Sequence, residues 1–219
     1  MKVLVIASQK GGVAKTTTTT ELAYAAASSG LSVAVLDTDP QATCCFWAEA
    51  RGKTDLAIVA TFPALLASRL KALEISGCDL VIIDTPAVSK DTASAAIRHA
   101  DLVLIPTKAS AFDLKSMIET VQQAQALKRP YSVVLTLCPP QHGAEVFMTI
   151  KRMSELHHEI CPVLMHQYVA YPRAQKHGLT VQETEPDGKA ANEVKQLYAY
   201  TTKHLGISER TSTRKHARR

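Results

Sequence analysis

The chain has 219 residues and a mass of 23.7 kDa, the size of one ordinary α/β domain. Hydrophobic residues make up 46% and charged residues 21%, which is enough apolar material for a continuous core and excludes a disordered chain. The net charge of +5 is uneven: residues 209–219 carry five basic side chains against one acid, leaving the preceding 208 residues nearly neutral.

No stretch approaches the roughly 18 consecutive apolar residues of a membrane-spanning helix. The opening MKVLVIAS lacks an apolar segment followed by a small-residue cleavage site, so it reads as a buried strand and not as a secretory signal. The five cysteines are odd in number. Cys44 and Cys45 are adjacent, and Cys78, Cys138 and Cys161 are scattered without metal-ligand spacing. Reduced thiols in a cytoplasmic protein are the expectation.

In chain order the pattern predicts a strand over 2–7, a helix over 16–29, a strand over 31–37 and a helix over 41–50. A strand over 57–60, a helix over 62–76, a strand over 79–84 and a helix over 90–100 follow. Then come a strand over 102–106, a helix over 111–127, a strand over 131–137, a helix over 144–160, a strand over 162–166 and a helix over 186–205. The strand segments are near-continuous Val/Ile/Leu runs, as in strands buried on both faces. Strand and helix alternating in this way predict an α/β fold, a mostly parallel twisted sheet with helices on both faces. The final helix shows no strongly apolar face. One domain over 1–205 and a basic tail over 206–219 are expected.

Three motifs carry chemistry. Lys10-Gly11-Gly12-Val13-Ala14-Lys15-Thr16-Thr17 follows a strand and opens a helix, the context a phosphate-binding loop requires. The glycines let backbone N–H groups turn toward an anion, and the helix aims its positive end at the same place. Lys15 would neutralise the β- and γ-phosphates, and the Thr16 hydroxyl would hold Mg²⁺. In the second motif, Asp37-Thr38-Asp39-Pro40-Gln41, two carboxylates end a strand on either side of one threonine. Ligands of open α/β sheets sit at the carboxyl ends of strands, so these acids can order water or act near a metal. Asp39 before Pro40 also reads as a helix cap. The third, Leu80-Val81-Ile82-Ile83-Asp84-Thr85-Pro86, has the Walker B pattern of an acid at the end of an apolar strand. It would meet Mg²⁺ directly or through water.

Together these motifs resemble the deviant Walker A ATPases, most closely the ParA partition ATPases. The segments 104–107 and 112–114, then 178–181 and 189–193, extend the resemblance over about 1–205. The first strand begins at residue 2, as in the short subgroup without an N-terminal helix-turn-helix. The resemblance implies a P-loop NTPase that binds ATP with Mg²⁺ along Lys10–Thr17. In it, Lys10 reaches across an ATP-sandwich homodimer, Gly11 lies at that interface and Lys15 is the P-loop lysine. Thr16 is a metal ligand, Thr17 a phosphate contact, Asp37 a carboxylate near the metal, Asp39 the acid that orients the attacking water and Asp84 the Walker B acid.

It further implies non-specific DNA binding, a ParB-like adaptor that stimulates slow hydrolysis, plasmid or chromosome partition, and a cytoplasmic, nucleoid-associated location. A sibling role in positioning carboxysomes or chemoreceptor clusters, and a scaffold that scarcely hydrolyses ATP, stand as alternatives. Two positions depart from the family pattern. Ala14 stands where glycine is usual, and 167–170 lacks the arginine often found before the aromatic at Tyr171.

The cysteines do not match the cluster-binding segments of nitrogenase-type iron proteins. The end of the chain has no apolar face for membrane attachment as in MinD-like ATPases. Its Arg210, Arg214, Lys215, Arg218 and Arg219 suit DNA phosphates better.

Overall fold

The computed structural model describes residues 1–87, 89–141 and 143–208. The tail residues Arg210, Arg214, Lys215, Arg218 and Arg219, expected to meet DNA, lie outside the described residues. Six parallel strands form one sheet: β1 (Lys2–Ile6), β2 (Val33–Asp37), β3 (Ala57–Ala60), β4 (Leu80–Asp84), β5 (Leu102–Thr107) and β6 (Tyr131–Leu135). Their order is β3-β2-β4-β1-β5-β6. The chain leaves β1 toward β2 and leaves β4 the opposite way, to β5 beyond β1. The order therefore reverses at the β1–β4 pair, where ligands of such sheets bind beyond the strand ends.

Among the described residues, nine α-helices connect and cover the strands: α1 (Lys15–Ser28), α2 (Thr43–Arg51), α3 (Leu66–Ile75), α4 (Lys90–Ile97), α5 (Ala111–Ala126), α6 (Ala144–Glu155), α7 (Ala170–Gln175), α8 (Val181–Thr184) and α9 (Lys189–Leu205). Alternate strand residues feed two separate cores, as the period of two requires. Leu4, Ile6, Val35 and Ile82 face α1, α2, α7, α8 and α9, whereas Val3, Val5, Val81 and Ile83 face α3, α4, α5 and α6. The α/β sheet with helices on both faces is thus as the sequence predicts.

The differences are local. The segment over 162–166 is not a strand. It forms no ladder with β6 among the described residues; the bridges to β6 and its extension, at Val133–Ile160 and Cys138–His166, are isolated. Cys161 N–H donates to Val133 O and Met165 N–H to Leu135 O, so four residues bulge past two on β6. Pro162, which has no N–H, sits at the start of that bulge. Helix α6 ends at Glu155, and the chain reverses through His157 at φ +54°. Helices α7 and α8 occupy segments where the sequence pattern predicts no element. Helix α9 does have a buried face, made by Ala190, Ala191, Val194, Leu197, Thr201, Thr202 and Leu205, and it packs against α1.

A buried arginine ties α2 to α8. Arg51 donates to Asp55 and Glu183 through both ends of its fork and to the Gly178 carbonyl at 3.0 Å. Its guanidinium lies over the rings of Tyr24 and Trp47. Trp47 Nε1 donates to the Leu179 carbonyl at 3.3 Å.

Candidate nucleotide-binding site

The loop from Lys10 to Ala14 joins β1 to α1. Gly12 takes φ +67°, and Ala14 takes φ +62° and ψ +31°, both left-handed. For alanine this conformation costs about 1–2 kcal/mol that glycine does not incur. The sequence places Ala14 at a position that wants glycine, and the backbone adopts the glycine conformation regardless. The carbonyls on either side of Ala14's φ and ψ bonds are anchored. Thr136 Oγ1 donates to Val13 O at 3.0 Å, and Thr18 donates to Ala14 O from N–H at 2.9 Å and from Oγ1 at 2.8 Å.

Lys15 is buried, with its Nζ donating to Lys10 O at 3.0 Å, so its chain folds back along the loop. Burial holds the ammonium below its ordinary range, against the fields of Asp84 and Asp39. Lys10 is half-exposed at the side chain, its Nζ 3.9 Å from Asp113 Oδ1. Asp113 Oδ2 accepts from Ser110 Oγ at 2.5 Å. Thr17 Oγ1 accepts from Gln175 Nε2 of α7 at 2.8 Å.

Asp37 and Asp84 end adjacent strands as register partners. Asp84 accepts from Thr16 Oγ1 at 2.7 Å and Cys44 Sγ at 3.3 Å on Oδ2, and from Thr19 Oγ1 at 3.1 Å on Oδ1. Burial pushes its carboxyl up to about 6, partly offset by those donors. Asp37 accepts from Asp39 N–H at 3.0 Å on Oδ1, and from Cys44 and Cys45 N–H at 2.9 and 3.3 Å on Oδ2. Burial raises its pKa, and these bonds resist the shift.

The cap of α2 is therefore Asp37, acting from the strand end. Asp39 is not the cap. It is half-exposed and instead closes the turn before α2, accepting from Gln41 N–H at 2.9 Å. Residue 42 precedes the helix as an alanine in the left-handed region, which leaves Asp37 to satisfy the first-turn N–H groups.

Beside the loop lies a cavity of about 360 Å³ bounded by Ala14, Thr17, Thr136, Tyr168, Tyr171 and Gln175. Its size and mostly apolar walls fit a small ligand. The Tyr171 hydroxyl is buried and without a hydrogen-bond partner. Sequence reasoning did not find Thr136, Gln175 or Tyr168, and met Tyr171 only as the aromatic of the family pattern. Thr136 alone had a readable signal, a polar residue at the end of an apolar strand, as at Asp37 and Asp84.

Residues 4–181 match the CobQ/CobB/MinD/ParA nucleotide binding domain. The chain belongs to that family. It is 32% identical over 209 residues to the maintenance of carboxysome distribution protein A of Gloeobacter kilaueensis, covering 93% of this chain and 94% of that one. It is 33% identical over 159 residues to the ParA protein of Rhizobium radiobacter, covering 69% and 71%. Among solved structures, an ATP complex of a Cyanothece McdA variant superposes with TM-score 0.79 at 22% identity, covering 97% of this chain and 99% of that chain. The Pyrococcus horikoshii MinD complex with Mg-ADP gives 0.76 at 16% identity, covering 94% and 98%. At those identities the likeness shows the fold that the family shares. Among the described residues no helix is long and apolar enough to cross a membrane.

The donor set fits Mg²⁺. Thr16 Oγ1 and Asp84 Oδ2 are hard oxygens already 2.7 Å apart. Among the described residues no three His, Cys, Asp or Glu side chains form a metal cage. Mg²⁺ is usually held by one or two carboxylates together with substrate phosphates. The Cys44 thiol, its pKa pushed well up by burial, stays a donor to Asp84.

Proposed function

We propose that this chain is an ATP hydrolase working as a nucleotide-gated switch. The observation that carries the reading is the loop over 10–17. It sits at the carboxyl edge of the sheet with Lys15 buried beside it and Thr16 bonded to Asp84. The Gly11, Gly12, Val13 and Ala14 backbone would cradle the phosphates, with Lys15 and Thr17 contacting them. The neighbouring cavity would take the nucleoside. Thr16 and Asp84 would hold Mg²⁺, with Asp37 beside them, and the ion would screen phosphate charge. Asp39 would orient the attacking water. The Lys10 ammonium, half-exposed, would leave Asp113 to reach a second subunit's phosphates, making the ATP-bound form a homodimer.

That dimer would bind duplex DNA without sequence preference and release it when a ParB-like adaptor stimulates hydrolysis. The location would be cytoplasmic and nucleoid-associated, and the cargo a plasmid or chromosome. A second reading, positioning of carboxysomes, is supported by similarity to a carboxysome distribution protein along 93% of the chain.

Phosphate release from Mg-ATP, alone and with duplex DNA and adaptor, tests the enzyme. No release under any condition would favour the scaffold. Light scattering with and without ATP tests the dimer. DNA binding over a salt series, with and without residues 209–219, tests the tail. The slope of log K against log[salt] should flatten by about 0.9 for every DNA phosphate that the shortened chain no longer neutralises. Identical slopes would place the binding face on the folded body.

A further inference from the structure

Thr136 lies just past β6 with its side chain wholly buried. Its Oγ1 is 3.0 Å from Val13 O and 3.2 Å from Thr107 O. Both carbonyls lie within reach of the one hydroxyl hydrogen; Val13 O is the nearer, and the Thr107 carbonyl already accepts the Thr136 N–H at 2.8 Å. A trans peptide is planar, with its C=O and N–H pointing in opposite directions. Holding Val13 O toward β6 therefore aims Ala14 N–H the other way.

On its far side, Ala14 has its own carbonyl held by Thr18. Between these two anchored peptides Ala14 is left at φ +62°. Glycine would take that conformation freely, but alanine has to be held there.

We propose that Thr136 is the positioning residue of the phosphate loop, acting through the Val13–Ala14 peptide so that Ala14 N–H faces the phosphates. In this chain one hydroxyl just past β6, two strands away in the sheet, does what a glycine's conformational freedom would otherwise do. Without it, the Val13–Ala14 peptide turns over and Ala14 relaxes out of the left-handed region. One N–H of the anion cradle is then lost. The inference rests on reading 10–17 as the ATP loop.

The test is a double-mutant cycle read by binding of a methylanthraniloyl-labelled ATP with Mg²⁺. T136V should weaken binding about tenfold in the natural background, the worth of one net hydrogen bond. In the A14G background the same change should cost less than about threefold, because glycine needs no holding. T136S, which keeps the hydroxyl, should recover most of the affinity. Unchanged binding by T136V would overturn the proposal. An equal loss in both backgrounds would overturn it too, since Thr136 would then act as a cavity wall. If T136V melts too low to measure, T136A also lacks the hydroxyl and carries the same cycle. Failure of the unmutated chain to bind the labelled ATP would instead sink the reading of the loop itself.

Discussion

Asp37 and Asp84 sit opposite one another across the β2–β4 ladder, yet their carboxylates face different partners. Asp84 gathers side-chain donors from α1 and α2, whereas Asp37 gathers three backbone N–H groups, two of them from the first turn of α2. Asp37→Ala should therefore leave buried N–H groups unsatisfied and cost about 2 kcal/mol or more. Asp39→Ala removes one half-exposed hydrogen bond in a turn and should cost less than about 1 kcal/mol. Thermal melts of the two variants check the contrast. In Asp39→Ala, ATP binding should persist and light scattering should find a long-lived dimer. A water-positioning acid acts in the transition state more than in ground-state binding. Turnover equal to the unmutated protein would remove Asp39 from that role.

The phosphate loop gives two further outcomes. Lys15→Ala should abolish binding of labelled ATP while the fold survives, because the side chain bonds a carbonyl of its own loop and holds no element in place. Unchanged affinity would contradict its role. Ala14→Gly should raise stability by about 0.5–1 kcal/mol, the left-handed penalty removed less the added freedom of the unfolded chain. It should also change kcat, since the loop is relieved of a constraint. Equal melting temperatures would show that the alanine carries no strain.

Gly178 is placed where only glycine fits. A Cβ there would lie 2.0 Å from Arg51 N and 2.3 Å from Arg51 Cα, and its φ is +62°. Both neighbours are backbone, so they cannot swing aside. The Arg51 clamp on Gly178 O and Glu183 would open with any shift. Gly178→Ala should cost about 3 kcal/mol or more, lowering the melting temperature by roughly 10 °C. A drop of less than about 2 °C would mean that α2 and α8 are not held this tightly.

The sheet and loop were legible because the buried central strands are near-continuous apolar runs, and β2 and β4 end in Asp37 and Asp84. Other features were hidden for physical reasons. More than half of the buried face of α9 is small alanine and polar threonine (Ala190, Ala191, Thr201 and Thr202), so no strong apolar stripe shows in the sequence. Helices α7 and α8 are too short for periodicity, with Pro172 inside one and Gly178 between them. The run Val163-Leu164-Met165 reads as a strand, but the bulge beginning at Pro162 takes it out of the ladder. Asp39 resembles a cap because Pro40 follows it, while the capping oxygen comes from Asp37 by a turn no local pattern specifies. The cavity beside Ala14 and Thr17 draws Thr136 and Gln175 from far along the chain, and a single sequence does not reveal that proximity.

Glu21 predicts how stability changes with pH. It lies one turn beyond Thr17 on α1 and is almost wholly buried. Its oxygens accept from Val181 N–H at 3.0 Å and Gln182 Nε2 at 3.3 Å, joining α1 to the start of α8. Burial raises its pKa from the ordinary 4.5 to about 7, against those two hydrogen bonds and with some help from Glu183. A raised value means that the folded chain binds this proton more tightly than the unfolded chain does. The contribution is full below pH 4.5 and is lost as pH rises through 7, amounting to about 3 kcal/mol. Glu21→Gln keeps an acceptor for Val181 N–H and has no proton to lose. Melting temperature measured from about pH 4.5 to 8 without Mg²⁺ should fall more steeply for the unmutated chain than for the variant. The two curves should separate steadily from about pH 5 to 7 and run parallel above that, with the glutamine protein the more stable at the alkaline end. Parallel curves would show that Glu21 stays ionised across the range, held by α8 against its burial.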